Sequence, residues 1–288
     1  MNVPGILASV GAMSDTNVPT ISLNNGTAIP QLGFGVFRVD PDHTAEIAGN
    51  ALEVGYRHID TAAGYHNEAG VGEAVRASGI ERDRLWITTK LANGDQGHPE
   101  DAFQASLDAL GFEYVDLYLI HWPRHALGIY PQVWKSLITI AESGRARSIG
   151  VSNFQIEHLE RIIGETGVTP AVNQIELHVE FQQRELAAFH AEHGIATEAW
   201  YPLGGGTISE APVLREIADA HGKSPAQVVL RWHMQQGNIA IPKSNHRERM
   251  AENLDIFDFE LSAAELASLA ALDQGEEGRR GTHPMTMA

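Results

Sequence analysis

Short apolar runs alternate along this chain with longer stretches in which apolar residues recur every three or four positions. The runs lie at residues 32–35, 58–60, 85–90, 115–121, 146–151, 171–176, 196–200 and 238–242. Several are rich in Ile, Val and Leu without polar alternation, as strands covered on both faces require. The stretches between them, at 44–54, 67–77, 99–110, 130–142, 155–164, 183–193, 224–236 and 247–257, carry the period of amphipathic helices. Ser224-Pro225 punctuates one of these, an N-cap followed by proline at the first helical position. Strand and helix in rotation imply parallel strands joined by helical crossovers. Eight runs are enough to close a (β/α)8 TIM barrel, an α/β architecture.

Three segments stand outside the rotation. Residues 20–23 and 27–30 flank Asn24-Asn25-Gly26, which predicts a β-hairpin ahead of the first barrel strand, placed to plug the barrel floor. Residues 211–221 predict an extra helix after the seventh strand, and 262–272 another after the eighth. The tail from Gln274 onward is polar and glycine-rich and predicts a loop over a barrel face. No linker divides residues 20–288, which read as a single barrel domain. Residues 1–19 read as a flexible extension; the apolar part of Met1 to Met13 has no basic segment before it, so it does not read as a signal peptide.

Composition narrows the function classes. At 288 residues the chain is near the size at which one barrel is the economical fold. It contains no cysteine, which excludes disulfides, thiolate nucleophiles and thiolate metal sites. Its formal net charge of −17 argues against nucleic acid and anionic membrane surfaces as partners. No stretch reaches the length of a membrane span, so a soluble cytoplasmic protein is expected.

Barrel enzymes carry their chemistry at the C-terminal ends of the strands. There the sequence places Asp60 after the second strand, Tyr65 in the next loop, Lys90 after the third and His121-Trp122 after the fourth. Singly, each has an ordinary structural reading: an ion pair, a loop aromatic, a core histidine. Jointly, an accident on three neighbouring strands is much less probable. A phenol titrates near pH 10 in water. A nearby ammonium favours the phenolate and improves the phenol as a proton donor. A carboxylate would hold the ammonium, and an imidazole could orient a carbonyl oxygen. That set suits protonation of an alkoxide formed by hydride reduction, and it contains no obvious nucleophile and no obvious metal triad.

The hydride requires a cofactor. Gly33-Phe34-Gly35 lacks the third glycine of a dinucleotide fingerprint and carries little weight. The stronger signal is Lys243-Ser244-Asn245-His246-Arg247-Glu248-Arg249, a basic cluster opening the last barrel helix of an acidic chain. Helix N-terminal amides with Lys, Ser and Arg suit a phosphate monoester; a solvated basic helix face is the plainer alternative. Trp200 could stack on a flat ring or pack in the core.

With these residues in view, the chain resembles the aldo-keto reductases from about residue 21 to 282, most closely the bacterial 2,5-diketo-D-gluconate reductase-like group. Gly55-Tyr56-Arg57-His58-Ile59-Asp60-Thr61-Ala62 with Tyr65 and Asn67-Glu68 matches one signature, and Val115 to Pro123 another. Gly150-Val151-Ser152-Asn153-Phe154, Pro170 to Glu176, and Ile241-Pro242-Lys243-Ser244 with Arg249, Glu252 and Asn253 follow in order. The resemblance implies a catalytic tetrad of Asp60, Tyr65, Lys90 and His121, with Tyr65 the proton donor. It implies NADPH as cofactor, with Ser152, Asn153 and Gln174 on the carboxamide and Trp200 against the nicotinamide. Gly35, Val36 and Asp60 would lie by the nicotinamide ribose, and Leu203 and Gly204 on the pyrophosphate path. Lys243, Ser244 and Arg249 would hold the 2′-phosphate, and Glu252 and Asn253 the adenine side. Phe37, Tyr65, His121 and Trp122 would line the pocket for a small carbonyl substrate, in a monomer. Three positions depart from the pattern: His66 and Tyr201 where small residues are usual, and Ala92 where a tryptophan is common. Two other readings stay open: a phosphosugar aldolase or isomerase using Lys90 as a Schiff base, and an NADPH-sensing subunit with little turnover.

Overall fold

A computed structural model describes residues 17–206 and 211–287. Most of the expected N-terminal extension, residues 1–16, lies outside them. The chain enters through an antiparallel hairpin of β1 (Thr20–Ser22) and β2 (Ala28–Pro30), in the register Thr20↔Pro30. Its turn is fastened under the barrel: Asn24 Nδ2 donates to the Pro170 carbonyl and Asn25 Nδ2 to that of Arg147, each at 3.0 Å. Leu23 and Ile29 pack there against Trp86, Leu117, Leu119, Ala171, Val172 and Ile239. The hairpin is the floor plug that its sequence predicts.

The barrel strands are β3 (Phe34–Gly35), β4 (His58–Asp60), β5 (Trp86–Leu91), β6 (Val115–Ile120), β7 (Ala146–Ser152), β8 (Val172–Glu176), β9 (Ala196–Trp200) and β10 (Ile239–Ala240). They pair in parallel and in chain order. The circle closes beside β3, where Ala240 N donates to Gln31 O and Gly33 N to Ala240 O, both at 2.9 Å. The last strand is shorter than its apolar run because Pro242 has no N–H to donate.

The helices cover the outside: α1 (Pro41–Val54), α2 (Glu68–Ala77), α3 (Pro99–Leu110), α4 (Tyr130–Glu142), α5 (Ile156–Thr166), α6 (Arg184–His193), α7 (Pro212–His221), α8 (Pro225–Gln235), α9 (Arg247–Leu254) and α10 (Ala263–Ala270). The two outside the barrel rotation are α7 and α10. Helix α1 begins three residues earlier than its period suggests, since Asp40 caps it by accepting from Asp42 N at 2.9 Å and Pro41 sits in its first turn. The main apolar core lies between the strands and this ring of helices. Part of the barrel interior is polar: His58, Asp60, Thr88, Lys90, Gln174 and Glu198 are all buried.

Candidate active site

Strand ends deliver four side chains to one mouth. β4 ends on Asp60, and a 3-10 turn at Ala63–Tyr65 brings the tyrosine back over the barrel. β5 carries Lys90, and His121 follows β6. The Lys90 ammonium, with no exposed surface, donates to Asp60 Oδ1 at 2.6 Å, to the Thr61 carbonyl at 2.9 Å and to the Tyr65 hydroxyl at 3.3 Å. The Tyr65 and His121 rings meet edge to face, with centroids 5.6 Å apart. Phe37, half exposed, leans on Tyr65 with centroids 5.0 Å apart. The turn is braced from behind, where Thr61 donates to Asn67 Oδ1 at 2.8 Å and Asn67 Nδ2 to the Val36 carbonyl at 2.9 Å.

Burial sets the protonation states. It would lower the Lys90 ammonium, but the Asp60 carboxylate and the Tyr65 hydroxyl outweigh it and hold the group above the ordinary lysine range. It pushes the Tyr65 phenol up, and Lys90 pulls it back without cancelling the rise. The expected lowering by the ammonium therefore holds in sign and loses in sum, because burial raises the phenol by more than the ammonium lowers it. Burial, with Lys90 adding, depresses the His121 imidazole to about 3. At neutral pH the mouth thus holds an ammonium, a protonated phenol and a neutral imidazole.

Residues 25–274 match the sequence profile of the Aldo/keto reductase family. The chain belongs to this family. It is 51% identical over 270 residues to an aldo-keto reductase of Mycolicibacterium smegmatis, covering 93% of this chain and 98% of that one. It is 50% identical over 270 residues, with the same coverage, to a protein of Salmonella typhimurium named methylglyoxal reductase DkgA. Among solved structures, a mutant of Gox0644 in complex with NADPH superposes with a TM-score of 0.90 at 46% identity, covering 94% of this chain and 99% of that one.

In this aldo-keto reductase the residues expected around a cofactor form a connected rim. Ser152 donates to the Gln174 carbonyl at 2.8 Å, Asn153 Nδ2 to the His121 carbonyl at 3.0 Å, and Trp200 Nε1 to Asn153 Oδ1 at 2.8 Å. Gln174 reaches into the barrel as well as toward the rim. Its amide donates downward to Asp60 Oδ2 at 2.7 Å and Glu198 Oε2 at 3.1 Å, leaving its oxygen for a carboxamide. Val36 offers shape alone: its side chain is in the core, its N–H goes to the Asp60 carbonyl and its carbonyl to Asn67 and Val39. Gly35 approaches the chain after β10 so closely that a Cβ there would lie 3.1 Å from the Ile241 carbonyl. Leu203 is half-buried and Gly204 buried. Trp122 is half-buried, its carbonyl held by Gln96 Nε2 at 2.7 Å.

The basic cluster divides. Arg247 is tied to Asn50 and Glu53 of α1. Lys243 and Arg249 are exposed and have no ion pair among the described residues, and Ser244 stands just before α9 with its Oγ accepting from His246 N at 3.0 Å. Two unpaired cations and a hydroxyl at a helix N-terminus fit a phosphate monoester. Glu252 is half-buried and Asn253 buried on the same helix.

The departures from the family pattern have structural expression. His66 sits at φ 58° and Tyr201 at φ 60°, in left-handed backbone that glycine, having no Cβ, enters without penalty. The Tyr201 hydroxyl lies over Gly205, where a Cβ would come within 2.2 Å of it. Ala92 faces the tyrosine loop: a Cβ on Gly64 would be 4.0 Å from Ala92 Cβ and 3.9 Å from His121 Nδ1.

Two features escape motif reading. One is Glu198, a lone carboxyl inside the short run Ala-Thr-Glu-Ala-Trp. The other is how the tail is held. Glu176 accepts from Arg280 N at 2.7 Å and Gly281 N at 2.9 Å, and Arg280 donates to the Gly204 carbonyl at 2.5 Å and to Glu180. In the segments that follow β6 and β7, His125, Glu157 and His158 converge. His158 Nδ1 accepts from Gln155 N at 3.0 Å, so its proton lies on Nε2, pointing at His125 Nδ1 at 3.0 Å. That is a hydrogen-bonded pair, not a pair of lone pairs offered to a cation.

Proposed function

We propose that this enzyme reduces aldehydes and ketones to alcohols, with NADPH as hydride donor and Tyr65 as proton donor. The observation that carries the reading is the protonated Tyr65 hydroxyl 3.3 Å from a fully buried ammonium and edge-on to a neutral imidazole. NADPH, when bound, supplies the hydride to the carbonyl carbon. Tyr65 gives its proton to the carbonyl oxygen as the alkoxide forms. Lys90 steadies the phenolate left behind, and Asp60 keeps Lys90 in place. His121 is held neutral by burial, at about 3, so it cannot be the acid at pH 7; its N–H orients the carbonyl instead. Lys243, Ser244 and Arg249 are the residues we assign to the 2′-phosphate of NADPH. A named methylglyoxal reductase among the relatives supports small dicarbonyls as substrates, and we place keto acids and keto sugars beside them in the range to be tested.

The Schiff-base reading is weaker. A lysine held protonated by a carboxylate at 2.6 Å has no lone pair with which to attack a carbonyl. We take the enzyme to work as a cytoplasmic monomer, and size-exclusion chromatography with light scattering would check the monomer.

The test is NADPH oxidation with methylglyoxal, an aromatic aldehyde and a diketo sugar acid, wild type beside Tyr65→Phe. Turnover in the wild type should fall on the order of a hundredfold or more in the variant, the usual weight of a positioned acid. NADPH binding, read by fluorescence quenching, should persist. Tight NADPH binding with no turnover on any carbonyl would favour the sensing role, and a fully active Tyr65→Phe would remove Tyr65 from the mechanism.

A further inference from the structure

Beneath the tetrad lies a second carboxyl to which the reaction above gives no task. Glu198, in the middle of β9, is fully buried. Gln174 Nε2 bridges it to the tetrad, giving one hydrogen to Asp60 Oδ2 at 2.7 Å and the other to Glu198 Oε2 at 3.1 Å. On its far side Glu198 Oε1 faces His58 Nε2 at 3.6 Å, and His58 also meets Thr88 Oγ1 at 3.2 Å. A continuous polar line therefore runs from Tyr65 through Lys90, Asp60, Gln174 and Glu198 to His58.

The charges on that line must nearly balance, since an isolated buried charge is costly. The groups facing Glu198 are Asp60 and His58 from β4, Lys90 from β5 and Tyr65 from the turn after β4. β8 contributes the Gln174 amide, and β10 sets Ile239 beside it with nothing titratable. The line thus holds one ammonium and two carboxyls. His58 adds no cation, because burial above all keeps its imidazole neutral, with a pKa of about 3. One carboxyl must keep a proton. Asp60, 2.6 Å from Lys90, is the one that has a cation, so the proton belongs to Glu198. Burial, and then the Asp60 charge, push Glu198 up to about 8.

We propose that Glu198 is a positioning residue of the reductase reaction, a neutral carboxylic acid that fixes the Gln174 amide against Asp60 and so holds Asp60, Lys90 and Tyr65 in line. The inference rests on the NADPH-dependent carbonyl-reductase reading. Ionisation of Glu198 would set a second negative charge beneath Tyr65, disfavour the phenolate and weaken the phenol as an acid. It would also set two carboxylates against each other across one amide.

The experiment is kcat for carbonyl reduction against pH, for wild type, Glu198→Gln and Glu198→Ala, together with infrared spectra of the carboxylic C=O stretch. Wild-type kcat should fall roughly three- to tenfold as pH rises through the Glu198 titration, ahead of any loss from the higher-titrating phenol. Glu198→Gln, which still accepts from Gln174 and cannot ionise, should keep most of the low-pH kcat and lose this decline. Glu198→Ala, which leaves the amide unpartnered, should lower kcat at every pH more than it raises KM. The wild-type spectrum should show a protonated-acid band below pH 8 that fades above it and is missing from Glu198→Gln. The same alkaline decline in Glu198→Gln, or no such band, overturns the proposal. A wild type that reduces no carbonyl sinks the reductase reading instead, and the infrared titration of wild type against Glu198→Gln, which needs no turnover, then decides the state of Glu198 alone.

Discussion

At the residue scale, the cofactor end of the site makes a sharper test than the tetrad. Lys243 and Arg249 are exposed and unpaired among the described residues, so their removal breaks no ion pair. Lys243→Ala with Arg249→Ala should raise the KM for NADPH by roughly tenfold or more, equivalent to one or two lost charge-assisted contacts of about 1.5–3 kcal/mol each. The KM for NADH and the Tm should barely change. Steady-state kinetics with both cofactors checks this; an equal effect on NADH would move the phosphate site elsewhere. Arg247 belongs to the same sequence cluster but is tied to α1, so Arg247→Ala should leave the cofactor ratio unaltered. That split shows what a linear reading of charge resolves and what it does not. Seven consecutive polar residues announce a basic patch, while the roles within it depend on which side chains the neighbouring helix engages. Tyr65 teaches the same lesson. The acid role we propose for it is argued from residue types, but its raised pKa comes from burial, a quantity that no spacing encodes.

At the element scale, apolar periodicity reports every strand and helix of the barrel, because each element must bury one face against the next layer. It misplaces ends, as at α1 and β10, where a capping aspartate and a proline decide the boundary. It does not reach the packing of one helix on another, and two glycines make the point. Gly72 in α2 crosses α3 so closely that a Cβ would lie 1.9 Å from the Leu110 carbonyl, and backbone cannot yield cheaply. Gly49 in α1 has open space where its Cβ would be. Both substitutions to alanine gain about 1 kcal/mol of helix propensity. In Gly72→Ala the clash should reverse that gain to a net loss of about 1–3 kcal/mol, whereas Gly49→Ala should stabilise by about 0.5–1 kcal/mol. Urea midpoints at constant m-value would read both signs. The strap formed by the tail on Glu176 is likewise invisible in the chain, since its bonds are backbone N–H groups of Arg280 and Gly281 reaching a strand about a hundred residues earlier.

At the scale of the whole molecule, this barrel keeps several histidines neutral inside it, and His190 shows how firmly. Asn173 Nδ2 meets its Nε2 at 2.9 Å, and its Nδ1 meets Thr197 Oγ1 at 2.9 Å. An amide N–H can only donate, so Nε2 accepts and the proton stays on Nδ1. A second proton would have to break the bond to β8. Burial, with His193 adding, accordingly lowers the group from 6.5 to about 3. The sign of the stability effect follows. Between those two values the unfolded chain binds a proton that the folded chain refuses, so the His190 contribution is whole above about pH 6.5 and is lost as pH falls toward 3. Buried carboxyls with raised pKa values, Asp60, Glu68, Asp116 and Glu198, act in the opposite sense over part of that range. The slope of the intact protein is therefore a sum, and a difference isolates one group. His190→Asn should be less stable than wild type at pH 7.5, because it loses bonds joining α6 to β8 and β9. That deficit should shrink by up to about 1.4 kcal/mol for each pH unit below 6.5. Parallel urea unfolding curves at several pH values measure it. A deficit that stays constant with pH would mean that His190 takes its proton in the fold, and that the barrel wall opens to water at this point.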